Sequence, residues 1–125
     1  MKLTAWTTLA SLLMYIWIFA KAGKARDIYN VPAPGTDGPI EFLSAMRVQA
    51  NTVEQLVLFL PLLWLCGFFM RDAIAAILGS IWVIGRILYA LGYYQAPNKR
   101  SLGFIISSLA ALGLLIGTVT GLILY

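Results

Sequence analysis
The chain has 125 residues, of which 61% are hydrophobic and 11% charged, with a formal net charge of +4, a composition too apolar for a soluble domain of that length. The basic residues form no run of the kind that engages nucleic acid. With no histidine and one cysteine, Cys66, the chain excludes His-ligated haem, His-based metal sites, Ser-His-Asp hydrolysis, disulfide frameworks and zinc clusters. Chemistry must therefore come from Arg, Tyr, Glu, Asn, Ser or the reactive group of a cosubstrate.

The first apolar run, 3–20, is long enough to cross a bilayer core of ~30 Å. Ala20, Lys21 and Ala22 imitate a signal-peptidase site, but the run is long for a signal h-region, so it reads as a retained span. Lys21, Lys24 and Arg26 follow as a basic end. A loop is expected over 23–39, densest in helix breakers from Asp27 to Pro39, where Pro32, Pro34, Gly35 and Gly38 crowd together.

The second helix is expected over 40–70. At ~1.5 Å per residue it would be about 46 Å long, so its Glu41 end should project from the bilayer. Pro61 removes the backbone bond to Val57 and should bend it. Arg71 and Asp72 are the only polar break before the third span, 73–94, with Asp72 as its expected N-cap. Gln95 to Arg100 reads as a polar loop, and the fourth span covers 102–125. On that helix Gly113, Gly117 and Gly121 form a small-residue ridge, read as close helix packing in lipid.

The fold class is thus all-α: an integral membrane four-helix bundle, up-down-up-down, forming one domain over 1–125. Lys21, Lys24, Arg26, Lys99 and Arg100 outweigh Lys2 and Arg71, so the positive-inside rule puts loops one and three in the cytoplasm and the termini on the opposite side.

Two membrane helices carry polar faces. Arg47, Asn51 and Glu54 fall at i, i+4 and i+7, with Gln49 beside them; Arg86, Tyr89 and Tyr93 fall at i, i+3 and i+7. Such groups are costly at that depth and normally face a bundle interior, a partner charge or a ligand. Both faces lie toward the end that carries Arg26 and Arg100, so a basic, aromatic pocket is expected there with Glu54 as its buried acid. Arg47 and Glu54 could instead pair with Arg86 to join helices, and the tyrosines could belong to an interfacial belt. Headgroup phosphate is a further, duller ligand. Surplus arginine over one glutamate favours a multiply anionic ligand held bidentately. Glutathione supplies two carboxylates for arginines, an ammonium for Glu54, amides for Asn51 and Gln49, and a thiol whose pKa a guanidinium would lower.

The pattern Arg47-x-Gln49-x-Asn51-x-x-Glu54, then an apolar run with Pro61, then Gly85-Arg86-x-x-Tyr89-x-x-Gly92-Tyr93 and Arg100, resembles the MAPEG family, the membrane-associated proteins in eicosanoid and glutathione metabolism. The likeness spans essentially the whole chain and is nearest the microsomal glutathione transferase and leukotriene C4 synthase branches, as in a bacterial member. It implies a homotrimer that binds glutathione between neighbouring subunits on the cytosolic side. Arg26, Arg47, Gln49, Asn51, Glu54, Arg86, Tyr89 and Tyr93 fall on the family's glutathione-binding positions. Arg100 falls on the arginine that stabilises the thiolate, and Tyr93 is placed to position a second substrate or donate a proton. Gln55 and Asp27 depart from the leukotriene branch, which has a tyrosine and a second arginine there. Ser101 after Arg100 is similar to the prostaglandin E synthase branch, although a serine opening a helix is more often a cap.

The expected function is that of a membrane-bound glutathione transferase, with possible peroxidase chemistry. Its partners would be glutathione, a lipophilic electrophile or lipid hydroperoxide from the bilayer, membrane lipid and its own copies, with neither metal nor haem. Two other readings are a non-catalytic scaffold of the same family and a small four-helix exporter. The exporter would need an acidic residue in the first span, and 3–20 has none.

Overall fold
A computed structural model describes residues 1–125. It contains α1 (Lys2–Tyr29), α2 (Ile40–Phe69), α3 (Asp72–Gln95), a 3-10 turn over Pro97–Arg100, and α4 (Ser101–Leu124). All four α-helices are long and apolar enough to cross a membrane. Their outward side chains are apolar rather than charged, with Phe68 73% and Ile123 76% exposed, the inverse of a water-soluble surface.

α1 continues to Tyr29, well past the expected end at residue 20. Lys21 to Arg26 lie outside the apolar run but are mostly strong helix formers, so the helix persists where hydropathy falls. It stops at Asn30, which adopts the left-handed conformation (φ 55°) and donates its N–H to the Arg26 carbonyl. The connection therefore shortens to residues 30–39. Within it the Arg26 guanidinium donates to the carbonyls of Val31 (3.1 Å) and Gly35 (2.7 Å), which ties the loop back onto α1.

Asp72 does not cap α3. It is the first residue of that helix, after Arg71, and makes no side-chain capping bond there. Its carboxylate instead accepts from the backbone N–H groups of Leu3 (3.1 Å) and Thr4 (2.8 Å) and from the Thr4 hydroxyl (2.6 Å). The N-terminal ammonium lies 3.7 Å away. The orphan amides opening α1 attract a carboxylate strongly enough to draw it from a neighbouring helix.

α3 packs against each of the other three helices. The deepest contact stacks Phe59 on Trp82, with ring centroids 3.7 Å apart and planes 4° from parallel. α2 runs through Pro61 without interruption. The glycine ridge on α4 meets its expectation of close packing: Gly117 faces Cys66 Sγ, and a Cβ at Gly121 would collide with the Phe69 carbonyl.

A second close crossing, not anticipated from the sequence, brings α3 and α4 together higher up. A Cβ at Gly103 would run into the backbone of Tyr89, and one at Gly85 would stand 2.7 Å from the Ser107 nitrogen. Backbone-to-backbone contact of this kind admits no side chain. Gly103→Leu is accordingly expected to force α3 and α4 apart, at a cost beyond the ~1–3 kcal/mol of ordinary overpacking. Gly23→Ala, whose methyl would meet nothing within 4 Å, should be neutral or stabilise α1 by up to about 1 kcal/mol. Parallel circular-dichroism melts in detergent test this, and equal midpoints would dismiss the contact.

Candidate functional site
The site is built on Arg86. Its side chain is 0% exposed, and no carboxylate pairs with it. One terminal nitrogen, Nη2, donates to Asn51 Oδ1 (2.7 Å) and to Thr52 Oγ1 (2.9 Å). The Thr52 hydroxyl in turn donates to the Val48 carbonyl at 2.7 Å. The guanidinium carbon lies 4.1 Å from the centroid of the Tyr89 ring, a desolvated cation–π contact. Nε and Nη1 have no partner. Arg86 thus acts from behind the wall: it fixes Asn51 and Tyr89, and the Asn51 NH2 group is left free to donate elsewhere.

In front of that wall lies a cavity of about 490 Å³ lined by Arg47, Asn51, Tyr89, Tyr93, Arg100, Ser101, Phe104 and Ile105. Tyr89 and Tyr93 meet edge to face with centroids 5.6 Å apart. The Arg100 guanidinium sits 5.5 Å from the centre of the Tyr93 ring. Its Nη1 donates to the Pro97 carbonyl at 2.7 Å, so the 3-10 turn aims it. Three elements therefore converge: α2 supplies Arg47 and Asn51, α3 the tyrosines, and the turn with α4 the remainder.

Glu54 is exposed, where a buried acid was expected. Its partner is Arg47, at 3.5 Å along the same helix, with side chains 52% (Arg47) and 62% (Glu54) exposed. The i, i+7 spacing puts both on a face of α2 that no helix of this chain covers. Arg86, the alternative partner, is turned inward to Asn51.

Other expected site residues lie outside the cavity lining. Gln49 donates its amide to the Tyr15 hydroxyl at 3.4 Å, between α2 and α1. Arg26 braces the 30–39 loop and lies 5.6 Å from the Phe42 ring centre. Ser101 is not a cap: Arg100 precedes it with helical dihedrals, so the 3-10 turn feeds directly into α4 and no side-chain capping bond forms. The hydroxyl is left at the cavity. Phe104 and Ile105 escaped notice because every face of α4 is apolar; their spacing from Ser101, i+3 and i+4, was the available signal. No three His, Cys, Asp or Glu residues cluster as metal ligands would.

A basic, aromatic cavity at one end of a membrane bundle has the donors and cations that suit a small anionic ligand. The model of the MAPEG family matches residues 4–120. The chain is 46% identical over 117 residues to an uncharacterized protein of Synechocystis sp., covering 94% of this chain and 85% of that one. It is 35% identical to human microsomal glutathione S-transferase 2, over 84% of this chain and 71% of the relative. Against bovine leukotriene C4 synthase the identity is 33%, over 90% and 81%.

The Arg86–Asn51 bond is open to a double-mutant cycle. Asn51→Leu and Arg86→Met should each destabilise the protein, by about 1.5–3 kcal/mol for the loss of a bond to a buried charge. The double variant should lose less than the sum, with a coupling of at least ~1 kcal/mol. Strictly additive melting shifts in detergent would remove Arg86 as the brace of Asn51.

Proposed function
This chain belongs to the MAPEG family, and we propose that it is a membrane-bound glutathione transferase with a role in detoxification. The observation that carries this reading is Arg100 facing Arg47 and Asn51 across one cavity floored by Tyr89, Tyr93 and Phe104. Glutathione is anionic and donor-rich, and its relatives' names, glutathione S-transferase and leukotriene C4 synthase, support the same ligand.

In this mechanism Arg47 and the Asn51 amide hold a carboxylate of glutathione, and Glu54 receives its ammonium. Arg100 stands by the thiol, lowers its pKa and holds the thiolate. A guanidinium does this without exchanging a proton. The thiolate attacks an electrophilic carbon of a lipophilic substrate: the C–S bond forms and the leaving group departs with the electron pair. With a lipid hydroperoxide the thiolate attacks the terminal oxygen and the O–O bond breaks. The departing alkoxide takes a proton from Tyr93, and a second glutathione reduces the resulting sulfenic acid to disulfide and water.

The assembly we propose is a homotrimer of up-down-up-down subunits, each a single domain over 1–125. The sites face the cytoplasm, and the termini lie on the opposite side. Glu54 on an uncovered face of α2, with Arg26 and Gln49 outside the cavity lining, supports a site completed by a neighbouring subunit. Lys21, Lys24 and Arg26 at the basic end of α1, with Lys99 and Arg100 in the 3-10 turn, support the orientation.

Arg100→Ala should cut conjugation of a generic aryl halide about 10²–10³-fold, the range for losing one preorganised charge-stabilising donor. It should also abolish the ultraviolet absorbance of bound thiolate while glutathione still binds. Conjugation at the parental rate by that variant would sink the assignment.

A further inference from the structure
A further hollow, of about 200 Å³, lies between the end of α1, the start of α2 and the end of α3, where Lys21, Lys24 and Glu41 stand among mostly apolar residues including Ile28 and Tyr94. It shares no residue with the cavity at Arg100. Its ionic groups are of both signs and unpaired: the chain's ion pairs are Met1–Asp72 and Arg47–Glu54. The Lys21 ammonium lies 5.8 Å from the centre of the Tyr94 ring, and the Tyr94 hydroxyl is buried without a hydrogen-bond partner. Trp17 packs edge-on against the same ring at 6.1 Å. Ile28, 58% exposed, lies on the far side of Lys24 from the apolar run. The hollow sits where the apolar run of α1 gives way to its basic end, the level of a lipid–water boundary.

We infer that this hollow holds a phosphoethanolamine zwitterion, as the headgroup of a bilayer phospholipid. Lys21 and Lys24 take the phosphate, Glu41 takes the primary ammonium, and the acyl chains run along the outside of α1 past Trp17, toward its apolar run. A headgroup with phosphate alone leaves Glu41 unpaired beside an anion. A choline headgroup keeps the positive charge but has no N–H to give Glu41. The inference does not rest on the glutathione reading, since the residues are separate.

Native mass spectrometry of the full chain in detergent tests it, with equimolar phosphatidylethanolamine, phosphatidylcholine and phosphatidylglycerol of identical acyl chains. The ethanolamine lipid should be retained about tenfold better than the choline lipid, the equivalent of one charge-assisted hydrogen bond. Glu41→Gln should erase that preference, and Lys21→Gln with Lys24→Gln should reduce retention of all three lipids. Glu41 and both lysines are exposed, so these changes leave the core intact; unchanged helicity and oligomer mass verify that. Equal retention of the three lipids, or a preference that survives Glu41→Gln, would overturn the proposal. Binding of soluble phosphoethanolamine without retention of the lipid would overturn the bilayer source.

Discussion
A guanidinium with no carboxylate beside it, fully buried between α2, α3 and their neighbours, is the constraint on which the site depends. Removing a charge from water costs several kcal/mol even after relaxation. Here the return comes from the face of Tyr89 and from two acceptors on α2, Asn51 and Thr52. Each of these must sit where Arg86 needs it, so the cation fixes the register of α3 against α2. Two of the residues that front the cavity, Asn51 and Tyr89, also solvate Arg86 from behind. Burial energetics and site geometry are one arrangement.

The glycine crossing sets the other half of the register. α4 can lie against α3 only because Gly103 and Gly85 present backbone to backbone. That approach brings the 3-10 turn, and Arg100 with it, over Tyr93. A side chain at Gly103 would displace the turn that aims the guanidinium, although residue 103 touches no part of the cavity lining. The Pro97 carbonyl then holds Arg100 from the other side, so an exposed arginine on a connection is nevertheless directed.

What the sequence made legible was periodic. The four spans and the two polar faces that carry Arg47, Asn51, Tyr89 and Tyr93 follow from 3.6-residue spacing in an apolar background; Arg100, in a connection, joined them through its charge at that end and the family pattern. Periodicity assigns residues to a face but does not say which face meets another helix. Glu54, expected buried, is therefore exposed, and Arg86, expected among the ligand-binding residues, is wholly buried behind them. Asp72 was misread for a related reason: a carboxylate opening a helix usually serves that helix, and only the fold reveals the start of α1 beside it. The end of α1 was hidden because hydropathy measures lipid, whereas Lys21 to Arg26 continue a helix beyond the lipid. Gly103 carried no signal and Gly85 only its place in the family pattern; that the two let α3 and α4 touch is visible only once their neighbours are known.

The outward face of α2 follows from the same division of labour. Turning Arg86 inward commits Asn51 and Thr52 to the core, and the pitch of the helix then carries Arg47 and Glu54 outward together. Along one helix these two neutralise each other only weakly, since an exposed pair at 3.5 Å contributes ~1 kcal/mol or less. A weak pair at a cavity rim is easily opened by a ligand that offers both a carboxylate and an ammonium. Replacing an intrahelical ion pair with two ligand ion pairs changes no net charge on either partner. The buried arginine therefore does more than hold α2 to α3: by taking the inner face for itself, it leaves an acid and a base paired only with each other on the outward face of α2, where the proposed glutathione site needs them.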